Sequence, residues 1–114
     1  MYKRQTKKLD KVSIPGAMTP TEAAFAYECG ADIVKLFPAG LLGAAYIKAV
    51  KAPLKHIPVT AVGNVNVENC AEFLKAGAVG VGVGGSLVSA KLVDEGRFDE
   101  ITATAKAYVE ALAR

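Results

Sequence analysis

Four short, nearly continuous apolar runs, each followed by a stretch of helical periodicity, limit what this chain can fold into. They are VSIPG (Val12–Gly16), ADIVKLFPA (Ala31–Ala39), HIPVTAVG (His56–Gly63) and AVGVGVGG (Ala78–Gly85), with centres near Ile14, Ile33, Val59 and Val81, 19 to 26 residues apart. No hairpin signal separates them. Apolar runs without polar alternation are what parallel strands buried on both faces look like, and parallel strands need crossover connections of about a dozen residues or more. The expected class is therefore α/β with a parallel sheet. Pattern alone leaves a doubly wound sheet and a barrel both open.

The intervening stretches carry helix signals. Thr19, Pro20 and Glu22 form an N-cap, a first-turn proline and a capping-box glutamate, and Gly30 stops that helix. A second helix is expected over Gly43–Lys51, with Ala44, Ile47 and Val50 as its apolar stripe. Asn66 is read as the N-cap of a third helix that ends at Gly77. A short helical turn is expected from Ser86 to Lys91. The last helix runs from Phe98 onward with Ile101, Ala105, Tyr108 and Leu112 on one face.

Composition narrows the function. The formal charge of +3 is unevenly placed: residues 1–11 carry five bases and one acid, and the rest is close to neutral. A basic leader of this kind does not make a nucleic-acid-binding face. The residues Met1–Gln5 match one reading frame of a sequencing-library adaptor and are expected to be non-native, so they are set aside from the fold. Residues 12–114 are taken as the folded unit. Cys29 and Cys70 lack metal-ligand spacing and are read as two buried free thiols of a cytoplasmic protein. No apolar run reaches the length of a membrane span, and no apolar segment follows the leader as in a secretory signal. His56, the only histidine, is placed in a loop, and neither a metal constellation nor a Ser/His/Asp triad is expected.

Candidate chemistry falls at the C-terminal ends of the expected strands, where parallel α/β folds gather ligands. Lys35 is a lone ammonium within an apolar run. It either extends its charge to water along a packed stem, or acts as an imine-forming amine whose neutral form is favoured by burial among Val34, Leu36 and Phe37. In VGVGGS, the glycines either relieve a crowded strand, or Gly84, Gly85 and Ser86 present N–H groups and a hydroxyl to a phosphate at the start of a short helix. In AVGNVN, Gly63 and Asn64 both tolerate left-handed backbone, which the turn requires in any case. IPGAMTP is read as mainly structural.

Taken together, IPGAMTPTE, IVKLFPAG, AVGNVN and VGVGGSLV, in this order and spacing, resemble the 2-keto-3-deoxy-6-phosphogluconate and 4-hydroxy-2-oxoglutarate aldolases, a class I family. The resemblance runs from about Val12 to the C-terminus. It implies a (β/α)8 TIM barrel of which this chain supplies about strands five to eight, a half-barrel from a truncated reading frame. It implies cleavage of 2-keto-3-deoxy-6-phosphogluconate to pyruvate and glyceraldehyde 3-phosphate, or of 4-hydroxy-2-oxoglutarate to pyruvate and glyoxylate. Lys35 then matches the Schiff-base lysine and Phe37 an aromatic wall of the site, with Pro38 shaping the strand exit. Gly63, Asn64, Gly84, Gly85 and Ser86 match phosphate-binding positions, although Asn64 departs from the family's usual Gly-Gly turn. No cofactor is implied, because the imine serves as electron sink, and a cytoplasmic trimer is expected. The proton-transferring glutamate and the carboxylate-gripping arginine of the family lie on early strands, and no residue here matches them. Two other readings stand beside this one: a non-catalytic half-barrel that binds phosphate or self-associates, and another phosphate-binding barrel related to phosphosugar isomerases.

Overall fold

The computed structural model describes residues 2–113, with side chains from Gln5 onward. A helix, α1 (Tyr2–Lys8), is followed by β1 (Gly16–Ala17), α2 (Pro20–Glu28), β2 (Val34–Leu36), α3 (Ala39–Lys51), β3 (Val59–Val62), α4 (Cys70–Lys75), β4 (Gly80–Gly82), α5 (Ala90–Asp94) and α6 (Phe98–Leu112). The strands form one parallel sheet in the order β1-β2-β3-β4. Among the described residues no helix is long and apolar enough to cross a membrane.

The helix α2 begins and ends as its sequence dictates. The Thr19 side chain accepts from the Glu22 N–H, and the Glu22 carboxylate accepts from the Thr19 N–H at 2.9 Å, closing a capping box. At the other end Gly30 adopts φ +90°, which lets the Gly30 and Ala31 N–H groups reach the Tyr27 and Ala26 carbonyls. This is the Schellman arrangement, and it favours a residue without a Cβ.

Other elements differ from expectation for local reasons. The first strand shrinks to Gly16–Ala17 because Pro15 has no N–H to give the ladder, although the Ser13 carbonyl still accepts from Asp32 and Ile33 and the Pro15 carbonyl from Lys35 of β2. The helix α3 starts earlier than expected, at Ala39, and is kinked where Gly43 takes φ +80°. The regular part of α4 begins after Asn69, three residues later than expected, and the Asn69 side chain makes no bond to a helix N–H. The two asparagines instead exchange side-chain bonds with each other's backbone N–H groups, 2.8 and 2.9 Å long. The turn expected at Ser86 is separate from α5, which Ser89 caps at the Leu92 N–H. The leader, from which no element was expected, forms α1, and Lys7 reaches Asp32 at 2.7 Å. Cys29 and Cys70 are both free, but only Cys70 is fully buried.

The largest correction concerns burial. Only one face of the sheet is covered: Val34 and Leu36 of β2, Val59 and Ala61 of β3, and Ile47 and Val50 of α3 are all essentially inaccessible. The alternate positions on β2 and β3 are only partly buried, as are all three residues of β4. Complete burial of aliphatic side chains of this size stabilises by about 1.5–3 kcal/mol each, so the sheet–helix layer is the core.

Hydrogen bonds from the Met18 and Thr19 N–H groups hold the Glu22 carboxyl below its ordinary range. A depressed folded value means that its stabilisation is present above the unfolded carboxylate range and is lost as pH falls through the folded value. Urea unfolding should show Thr19→Ala costing about 1 kcal/mol. Glu22→Gln should flatten the decline in stability between neutral and acidic pH.

Candidate functional site

The site follows from the two-residue period of β2. Val34 and Leu36 point into the core, so Lys35 and Phe37 are left on the opposite face. This corrects the expected surroundings of the lysine, because Val34 and Leu36 do not enclose its ammonium. Its strand neighbours are Gly16 of β1 and Thr60 of β3, and Thr60 in turn pairs with Gly80 of β4. The row across the sheet therefore reads Gly16, Lys35, Thr60, Gly80, with glycines at both outer positions and open space beside the lysine. The Lys35 Nζ lies 5.2 Å from the centre of the Phe37 ring. A cation over an exposed ring gains about 0.5–1 kcal/mol, enough to bias the amine toward the C-terminal end of the strand.

Beside this row lies a cleft of about 470 Å³ lined by Phe37, Gly63, Asn64, Gly84, Gly85 and Ser86, together with Val62, Val65 and Gly82. Every expected binding residue borders it, whereas Lys35 does not. Phe37 is the shared element, lining the cleft and lying beside the lysine.

Two loops build the walls. In the β3–α4 loop Gly63 and Asn64 have φ +94° and +53°, so Asn64 takes the left-handed conformation its side chain permits, and it is exposed. A Cβ on Gly63 would sit 2.7 Å from the Phe37 ring, so the close packing of ring on turn requires glycine. In the β4–α5 loop the Gly84 carbonyl accepts from the Leu87 and Val88 N–H groups, each at 2.9 Å. The first N–H groups of such a turn have no acceptor inside it, and they suit an anion. The Ser86 hydroxyl is less available than its sequence suggested. It donates to the Val65 carbonyl at 2.8 Å and accepts from the Tyr108 hydroxyl at 2.9 Å. A hydroxyl that donates to Val65 has no proton left for a phosphate oxygen.

Three participants were not singled out from sequence. Thr60 neighbours Lys35 only through strand register. Tyr108 carries an apolar-face signal that conceals the use of its hydroxyl. Gly40, at the start of α3, donates its N–H to the Gly63 carbonyl at 2.7 Å, and a Cβ there would lie 2.4 Å from the Asn64 carbonyl oxygen. No local pattern announces that approach. Among the described residues no group of three His, Cys, Asp or Glu side chains could hold a metal ion.

Several known proteins are similar to this chain. The family model for KDPG and KHG aldolase matches residues 2–104. The 2-dehydro-3-deoxy-6-phosphogalactonate aldolase of Escherichia coli (strain K12) is 44% identical over 99 residues, 86% of this chain and 48% of that protein. The 2-dehydro-3-deoxy-phosphogluconate aldolase of Treponema pallidum (strain Nichols) is 36% identical over 92 residues, 79% of this chain and 43% of that protein. A solved structure described as native KDPGal superimposes with a TM-score of 0.84 at 40% identity, covering 98% of this chain and 55% of that one. The chain thus spans about half the length of the curated relatives it matches.

Gly40→Ala tests the construction of the cleft. Alanine would otherwise gain about 1 kcal/mol in a helix, but the clash with Asn64 should win and destabilise by about 1–2 kcal/mol. A lowered melting temperature is the expected outcome.

Proposed function

Because the chain belongs to the KDPG and KHG aldolase family, we propose that Lys35 is the imine-forming lysine of a class I aldolase acting on 2-keto-3-deoxy-6-phosphosugar acids. The observation that carries this reading is that Lys35 and the N–H-lined cleft share one sheet face, with Phe37 between them. A keto acid held by its phosphate in the cleft would extend its carbonyl carbon toward the amine.

The neutral amine of Lys35 adds to the C2 carbonyl, and with the uptake of one proton water leaves to give a protonated imine. A base removes the proton of the C4 hydroxyl, the C3–C4 bond breaks, and its electron pair moves through C3 and C2 to the imine nitrogen. Glyceraldehyde 3-phosphate departs, leaving an enamine on Lys35. Protonation at C3 and hydrolysis then release pyruvate and free the amine. The base and the carboxylate clamp are assigned by the family resemblance to strands preceding β1. Positioned proton transfer contributes about 10²–10⁴-fold, so turnover depends strongly on those groups.

An anion-suited cleft favours a phosphorylated six-carbon acid over 4-hydroxy-2-oxoglutarate. The relatives are named for both C4 epimers, the galactonate and the gluconate, and both are proposed as substrates. The same reading takes β1 to β4 as strands five to eight of a (β/α)8 barrel within a cytoplasmic trimer.

The test is the intact mass after incubation with pyruvate and borohydride. The folded chain should gain one pyruvate-sized addition, and Lys35→Ala should gain none. An addition that survives Lys35→Ala places the imine elsewhere. No addition to the folded wild-type chain favours the non-catalytic phosphate-binding module.

A further inference from the structure

We infer that Tyr108, on the C-terminal helix α6, is a positioning residue for the anion-binding cleft, acting through Ser86 and Val65; the inference rests on the phosphate reading of that cleft. Tyr108 lies beyond residues 2–104, where the family model matches. It is 5% exposed, and its hydroxyl is the only polar atom the side chain brings into the core.

That hydroxyl meets both walls of the cleft at once. It donates to the Ser86 Oγ at 2.9 Å and lies 3.2 Å from the Val65 carbonyl oxygen. Ser86 passes a proton on to the same carbonyl at 2.8 Å, so the three groups form a closed relay in which each bond polarises the next. Val65 belongs to the β3–α4 loop and Ser86 to the β4–α5 loop, and both line the cleft. The relay is a direct side-chain tie between these loops, and α6 supplies its anchor. Core packing needs only the ring of residue 108. The hydroxyl instead sets the separation of the loops and the direction of the Ser86 side chain, and hence the aim of the N–H groups at Gly84 and Gly85.

The experiment titrates inorganic phosphate into the isotope-labelled chain and follows the Gly84 and Gly85 amides by NMR. It also measures hydrogen exchange at Leu87 and Val88, whose N–H groups close the turn, without phosphate. Tyr108→Phe keeps the ring. It is expected to bind phosphate about three- to tenfold more weakly, the range of one lost hydrogen bond, and to exchange faster at Leu87 and Val88 while the melting temperature changes little. Wild-type phosphate affinity in Tyr108→Phe overturns the inference, even if the melting temperature falls, because the hydroxyl would then serve stability alone. Ser86→Ala cuts the same relay without altering α6. It should accelerate exchange at the same two amides, and unchanged exchange in a folded Ser86→Ala chain also overturns the inference. A wild-type chain whose amides ignore phosphate overturns the phosphate reading itself, together with the role assigned to Tyr108.

Discussion

The alternation of side chains along β2 is the constraint on which the rest of the structure depends. Strand geometry sends Val34 and Leu36 to one face and Lys35 to the other. The buried pair fixes the register, because a shift of one residue would bury the ammonium and expose two aliphatic side chains. Burial of a lysine without a partner is costly, whereas each aliphatic side chain stabilises by about 1.5–3 kcal/mol when covered. Core packing therefore presents Lys35 on the open face, with no specific contact needed to hold it there.

The cleft depends on a second constraint, the close approach of backbone to backbone at the strand ends. Gly40 lies against the carbonyls of Gly63 and Asn64, and Gly63 lies against the ring of Phe37. These contacts lock the end of β2 to the end of β3. The relay through Ser86 and Tyr108 then joins β3 to the loop after β4. The core holds the strands in register, and these small contacts at their C-terminal ends hold the cleft.

Much of this was legible in the sequence because it rests on local chemistry. The capping box at Thr19 and Glu22 and the stops at Gly30 and Gly77 are encoded within a few residues. The residues expected to bind phosphate converge on one cleft because each lies just after a strand, and parallel strands end on the same side. What was not legible is tertiary. The apolar runs suggested strands covered on both faces, yet composition alone does not say which alternate positions find a partner, and on β2 and β3 one set is only partly buried. Ser86 looks like a free hydroxyl until Val65 and Tyr108, 21 and 22 residues away, engage it. The regular part of α4 starts after Asn69 and not after Asn66, because the two asparagines first close a turn of their own by bonding each other's backbone N–H groups.

On the proposed reading one substrate spans the lysine and the cleft. The most direct test is a crystal structure of the chain after a 2-keto-3-deoxy-6-phosphosugar acid has been reduced onto it with borohydride. The expected electron density shows a covalent bond from Lys35 Nζ to C2, with the chain of the adduct passing Phe37 and any retained phosphate resting against the Gly84–Ser86 turn. An adduct on Lys35 whose phosphate lies outside the cleft, or a covalent bond to a different lysine, would contradict that reading.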